Sequence, residues 1–349
     1  MKKYVLYVSY AYCFPILRPI QDEIRRRGDD AAWFFEKEED SKQLKPDEKH
    51  LKSIKEVFEY DPFAVLVPSD DMYDFLPGIK VQVFHGLIDK RNKPDEYFRI
   101  RGYFDLYCTP GNERTPGFKK QEEKYGFFKV IETGWSKMDY YTPIERDPNQ
   151  RTTVMYASTF SRNMTSTVHL YDTIERLIQE KDWDWLITLH PKLDQSIIDR
   201  YKALTRYPNV KFDGSADNVP LMQKADVMLC DSSSIVTEFL WFDKPVVTFR
   251  NINPGNYLID VNEIDKVEGA LEEALTRPTE LMQNIRRYID WLHPYRDGKS
   301  SGRILDAIDE FDKKYKGKLK KKPLNIIRKL KMRKKAGYYP FGPKYSLKK

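Results

Sequence analysis

The sequence predicts an α/β fold made of two Rossmann-like domains facing a central cleft, with a basic tail behind them. Three observations predict it. At 349 residues the chain is long enough for two domains of about 150 residues each and a tail. From the first residue, short β-rich runs alternate with amphipathic helical stretches, the pattern of a parallel sheet covered by helices. The polar segment 143–151, which carries two prolines, separates two such series.

In the first series the spacing predicts strands at Tyr4–Ser9, Ala31–Phe35, Phe63–Val67, Val81–Phe84, Phe104–Cys108 and Lys129–Glu132. In the second they fall at Val154–Ala157, Trp185–Leu189, Val210–Phe212, Val227–Cys230 and Pro245–Phe249. The domains expected span 1–145 and 151–305, with a C-terminal helix and a basic tail at 306–349. The opening lysines and the apolar run after them read as a first buried strand, because neither a long apolar core nor a small-residue cleavage site follows.

Composition narrows the class. With 40% hydrophobic and 32% charged residues, and no apolar stretch near the roughly 20 residues of a spanning helix, the chain reads as globular and does not cross a membrane. The cysteines Cys13, Cys108 and Cys230 are too few and scattered for a disulfide framework or a zinc site, which suits a reducing cytoplasm. Charge is divided unevenly. Residues 313–349 hold 16 Lys and Arg and no Asp or Glu, which leaves the body at −9 and the tail at +16. Such a tail suits an anionic partner, either nucleic acid or an acidic membrane leaflet.

In open parallel sheets, ligands bind outside the carboxyl ends of the strands. The residue types able to do chemistry stand at those ends: His85-Gly86, Thr133-Gly134, Ser158-Thr159, His190-Pro191-Lys192 and Asp231-Ser232-Ser233-Ser234. His85 is either a general base, with an ordinary pKa near neutrality, or a turn cap. His190 and Lys192 could stabilise charge on a departing phosphate, or His190 could simply bond within its loop. The serine turn and the helix after it read as an anion site, with Glu238 one turn in and able to accept ribose hydroxyls. Helix capping by Asp and Ser is the competing use. Gly298-Lys299-Ser300-Ser301 before the last long helix suits a phosphate or a solvated loop, and it lacks the upstream glycine of a Walker motif.

Taken in order, Phe84-His85-Gly86, Thr133-Gly134, Tyr156-Ala157-Ser158-Thr159, Leu189-His190-Pro191, Ala225-Asp226-Val227 with Asp231 to Ser234, Lys244-Pro245 and Asp297 to Ser301 resemble the CDP-glycerol glycerophosphotransferase family of teichoic-acid and capsule biosynthesis. The resemblance spans roughly residues 80–305. It departs from the family pattern at Phe84 (commonly Trp), Ser232 (commonly Tyr) and Glu238 (often Asp). It implies a GT-B architecture and transfer of a polyol phosphate, glycerol phosphate first, from a CDP-linked donor to a cell-envelope glycan or lipid-linked acceptor, with release of CMP. It also implies His85 as base, His190 as a contact of the donor phosphate, and the serine turn and the 297–301 loop as phosphate holders. The donor is a substrate, and no cofactor is implied. Neither a Walker nor an Asp-x-Asp metal motif stands out, so no catalytic metal is expected.

In the tail, Leu324, Ile327, Leu330 and Lys331 follow Pro323 at helical spacing, with basic residues between them. This predicts a helix lying on anionic lipid, and hence a peripheral protein on the cytoplasmic face of the membrane; a solvated basic end is the other reading. Nucleic-acid binding is not expected, because the body is acidic and no nucleic-acid-binding motif appears. Two further function classes stay open. One is a GT-B sugar transferase or epimerase using a nucleotide sugar, and the other is a non-catalytic polysaccharide- or membrane-binding scaffold.

Overall fold

A computed structural model describes residues 1–87, 97–141, 149–215 and 217–338. Most of the expected boundary segment 143–151, and tail residues 339–349, lie outside the described residues. The chain divides into two units, Met1–Tyr140 with His293–Lys349, and Tyr141–Leu292.

The first unit holds a seven-stranded sheet of β1 (Lys3–Val8), β2 (Asp30–Phe35), β3 (Lys49–Leu51), β4 (Ala64–Val67), β5 (Ile79–Gln82), β6 (Leu106–Thr109) and β7 (Lys129–Glu132). Its order is β3-β2-β1-β4-β5-β6-β7 and every pairing is parallel. The strands are apolar on both faces because helices cover both, as parallel sheets require. Tyr4 to Val8 and Ala64 to Val67 are all buried. Among the described residues, the unit's helices before residue 141 are α1 (Phe14–Arg26), α2 (Ile54–Tyr60) and α3 (Thr115–Tyr125). Pro15 opens α1, and Ser53 caps α2 by accepting the Glu56 amide at 3.2 Å.

The second unit holds β8 (Thr152–Ser158), β9 (Trp183–Leu189), β10 (Val210–Phe212), β11 (Val227–Cys230), β12 (Val246–Phe249) and β13 (Ile259–Val261), in the order β10-β9-β8-β11-β12-β13, again all parallel. Its helices are α4 (Thr167–Glu180), α5 (Gln195–Lys202), α6 (Val219–Lys224), α7 (Ile235–Leu240), α8 (Val267–Leu275) and α9 (Thr279–Leu292). Leu170, Ile174 and Leu177 of α4, spaced by four and three residues, bury against Trp185, Ile187 and Leu229 of the sheet.

Two further helices among the described residues, α10 (Ser300–Lys314) and α11 (Ile326–Ala336), belong to the first unit. Here the expected division is corrected: residues 293–305, read as the end of the second domain, fold with the first. Ile304, Leu305 and Ile308 of α10 are buried, and α10 packs against α1. Each sheet reverses its strand order once, between β1 and β4 and between β8 and β11. Such a reversal opens a crevice at the carboxyl ends of the two strands.

Candidate functional site

In the second unit the reversal is crossed by Asp231, just beyond β11. Its carboxylate accepts the backbone N–H of Thr159 at 2.9 Å, the backbone N–H of Ser166 at 2.9 Å, the Ser166 hydroxyl at 3.1 Å and the hydroxyl of Ser158 at the end of β8. The carboxylate is buried and faces inward. Burial pushes its pKa above the ordinary range while the four donors pull it down. Asp231, Ser158 and Thr159 therefore brace the crevice floor. Ser232 is a brace too, its Oγ accepting the Ile252 amide at 2.9 Å.

The residues left toward solvent in this turn are Ser233 and Ser234, both half-buried. Ser234 precedes α7, and among the described residues its hydroxyl does not cap that helix. Glu238 is buried one turn in, 9% exposed. Beyond the end of β9, which neighbours β8, His190 packs on Phe160 with ring centroids 4.4 Å apart, and the Lys192 ammonium lies 5.3 Å from the centre of the same ring. His190 Nδ1 accepts the Lys192 amide at 3.1 Å. The proton of the neutral ring is thereby assigned to Nε2, which becomes a hydrogen-bond donor beside a cation.

In the first unit His85 lies three residues past β5, half-buried, with its ring 5.5 Å from that of Tyr12. Phe84 before it adopts φ +58°, a conformation rare for an aromatic residue. Two contacts over-determine that turn. The Trp135 indole N–H donates to the Phe84 carbonyl at 3.1 Å, and the Arg114 guanidinium covers the Phe84 ring at 4.8 Å. The Trp135 amide in turn donates to Nε2 of His293 at 2.8 Å. His293 is fully buried, and burial lowers its pKa to about 4, which keeps the ring neutral.

Thr133 and Gly134 follow β7 and meet the start of α10. Gly134 has φ +82°, and a Cβ there would stand 2.5 Å from Ser300 Oγ. Only glycine allows this approach. The first amides of α10, of Ser300 and Ser301, donate at 2.9 and 2.6 Å to the carboxylate of Asp139. An internal carboxylate thus occupies the position expected to hold a phosphate. Gly298 and Lys299 are exposed, and Asp297 pairs with Arg303 at 2.5 Å.

Of the expected site residues, Ser158, Thr159, His190, Lys192, Asp231 to Ser234 and Glu238 lie in the second unit. His85, Gly86, Thr133, Gly134 and Gly298 to Ser301 lie in the first. Sequence reasoning missed Trp135, Asp139, Ser166 and His293. Trp135 follows Thr133-Gly134 directly and was the most accessible of these, being a tryptophan at a strand-end turn. Among the described residues, no cluster of three or more His, Cys, Asp or Glu is disposed to hold a metal ion.

The model of the UDP-N-acetylglucosamine 2-epimerase family matches residues 141–309, which take in the whole second unit and most of α10. No curated protein matches the chain. Solved structures similar to it include a UDP-N-acetylglucosamine 2-epimerase, at 15% identity and TM-score 0.60 over 93% of this chain and 99% of that one. The S. aureus MnaA–UDP co-structure matches at 17% and 0.57, over 90% and 97%. The wall teichoic acid polymerase TagF matches at 14% and 0.63, over 90% of each chain. At these identities the likeness is one of fold: the two parallel-sheet α/β units are those of a GT-B protein, a fold shared by epimerases and by a teichoic acid polymerase.

Proposed function

We propose that this protein transfers a polyol phosphate, glycerol phosphate first, from a CDP-linked donor to a hydroxyl of a cell-envelope glycan or lipid-linked acceptor. The observation that carries this reading is the pairing of motifs with strand ends: a braced serine turn after β11 and His190 with Lys192 after β9 in one unit, and a histidine on a strained turn in the other. His85 takes the proton of the acceptor hydroxyl. The hydroxyl oxygen forms a bond to the donor's polyol-bearing phosphorus, the bond from that phosphorus to the bridging oxygen breaks, and CMP leaves with the electron pair. The Nε2–H of His190, the Lys192 ammonium and the hydroxyls of Ser233 and Ser234 meet the charge that gathers on CMP. Glu238 is the proposed acceptor for the ribose hydroxyls. The reading needs no cofactor or metal.

Calorimetry with CDP-glycerol, CDP-ribitol, CDP, UDP and UDP-N-acetylglucosamine tests the donor. Preference for a CDP-polyol, weakened in His190→Ala, supports the reading, and His85→Asn should then abolish transfer while leaving that affinity intact. The epimerase family match over 141–309 favours a second reading, a nucleotide-sugar enzyme. Preference for UDP ligands selects it, and no nucleotide binding at all selects a non-catalytic scaffold.

We also propose that the protein lies on an anionic membrane surface through its tail. In support, Leu324, Ile326, Ile327 and Leu330 are 61–73% exposed, with Lys329 and Lys331 beside them. The opposite side of α11 is fixed to the first unit by Arg328, which bonds Asp74 at 3.1 Å, and by buried Met332. No helix among the described residues is long and apolar enough to cross a membrane.

A further inference from the structure

The amino edge of the first sheet, the edge away from His85, carries an open cavity of about 700 Å³. Its wall is built from the starts of four neighbouring strands, with Lys3 in β1, Asp61 before β4, Lys80 in β5 and Asp105 before β6. Lys316 and Lys322, from the segment after α10, line the other side. In all, five lysines meet two carboxylates. Most of these charges are already paired. Asp105 accepts the Lys80 amide at 2.8 Å and pairs with the Lys322 ammonium. Lys2 pairs with Asp309 and Lys316 with Asp312, each at 2.6 Å. Lys3 and Lys80, both half-buried, make no ion pair among the described residues. The Lys3 ammonium lies 5.4 Å from the centre of the Tyr60 ring, and that of Lys80 donates to the Gly78 carbonyl at 3.0 Å.

The register sets Lys80 level with Val65 and Val5, so Lys3, two residues before Val5, shares a sheet face with Lys80. Only β4 separates their strands, about 10 Å across, a gap that two four-carbon side chains can close around one anion. Holding two partly desolvated ammonium groups on one wall is costly. Burial lowers the Lys80 pKa and outweighs the opposing pull of Asp105. A phosphate would relieve that cost, because lysines bind it as point charges and a dianion can meet both. We infer that this cavity is a binding site for a phosphate ester, whose phosphate lies between the ammonium groups of Lys3 and Lys80. The cavity has room for the ester's substituent. That substituent is a soluble alcohol or the rest of a lipid headgroup, since Lys322 stands two residues before Leu324, where the exposed apolar side of the tail begins. None of the residues assigned to transfer, and none of the apolar tail residues, takes part, so the site stands apart from both earlier readings.

Two arms on the full chain test it. Calorimetry with inorganic phosphate and glycerol 3-phosphate reads the soluble source, and co-sedimentation with phosphatidylglycerol against phosphatidylcholine vesicles reads the lipid one. Saturable binding of glycerol 3-phosphate assigns a soluble ester, and phosphatidylglycerol binding alone assigns a headgroup. In whichever arm binds, Lys3→Gln and Lys80→Gln should each weaken binding about tenfold. Asp61→Asn removes a lining carboxylate that makes no ion pair among the described residues, and should strengthen binding about threefold. Asparagine tolerates the φ of +47° at this position, so the Asp61 variant keeps the test open if Lys80→Gln does not fold. The double variant Lys318→Gln with Lys321→Gln changes two exposed lysines of the same segment and measures general charge attraction; it should cost less than either single cavity change. Binding indifferent to Lys3, Lys80 and Asp61, a loss in the double variant as large as theirs, or no binding in either arm would overturn the inference. CDP-glycerol affinity should be the same in all variants, and a parallel loss there would move the phosphate to the donor crevice and overturn it too.

Discussion

The indole N–H of Trp135 donates to the carbonyl of Phe84 across 3.1 Å, joining the turn after β7 to the turn that carries His85. Phe84 is held at φ +58°, so this bond helps fix the direction in which the chain leaves β5. Trp135→Phe removes the donor and leaves a buried carbonyl unsatisfied. The expected loss of stability is about 1–3 kcal/mol. A positioning role adds a second effect: kcat falls on the order of 10–100-fold while donor affinity, read by calorimetry, is unchanged. A stability loss with kcat intact would show that Trp135 supports the fold without aiming His85.

His293 gives the first unit a pH signature. Its Nε2 must stay unprotonated to accept the Trp135 amide at 2.8 Å, and burial lowers its pKa from 6.5 to about 4. Above pH 6.5 the ring is neutral in both folded and unfolded chains, and its contribution is fully present. Between about 6.5 and 4 the unfolded chain takes up the proton first, so stability falls with pH, by about 3 kcal/mol in all, and then levels off. Gln in its place can still accept a hydrogen bond through its side-chain oxygen but does not titrate. Denaturant melts of wild type and His293→Gln across this range should differ in slope by that one group, and parallel curves would remove His293 as the cause.

Both sheets were legible in the sequence because their central strands are continuous apolar runs. The strands that went unread, β3 and β13, are three-residue edge strands carrying Lys49 and Asp260, too short and too polar to show a period. The course of the chain after His293 was not legible either, because the apolar face of α10 would suit either sheet. What selects the first unit is contact at long range, such as the Asp139 bond to the Ser301 amide 162 positions away. At the site, residue type and position were readable but direction was not. Asp231 and Ser158 stand at strand ends as expected, yet they point at each other.

Asp139 acts as an N-cap for α10 from outside the helix. Its carboxylate satisfies two amides whose residues, Ser300 and Ser301, are 1% and 4% exposed, and its negative charge meets the positive end of a 15-residue helix. Asp139→Ala is therefore expected to cost about 2 kcal/mol. Hydrogen exchange should speed up in the first turn of α10 and remain unchanged in α4 of the other unit. Inorganic phosphate should restore more stability to the variant than to the wild type, because the vacated amides suit an anion. Equal effects of phosphate on both proteins would show that the amides take water instead.

The tail prediction turns on which side of α11 is free. Arg328, Met332 and Lys335 face the first unit, Lys335 pairing with Glu36 at 2.5 Å, so changes on the opposite side should leave the fold intact. Leu324, Ile327 and Leu330 are 72%, 73% and 61% exposed, and replacing all three with Ser removes the apolar area proposed to enter a bilayer. Binding to phosphatidylglycerol vesicles, followed by co-sedimentation, should weaken by at least about tenfold with the melting temperature unchanged. Salt should weaken wild-type binding as well, because the flanking lysines act through a screened surface potential. Vesicle binding that survives the triple substitution but disappears in salt would reduce the tail to a purely electrostatic contact and remove the embedded helix. Binding untouched by both would move the membrane surface elsewhere on the protein.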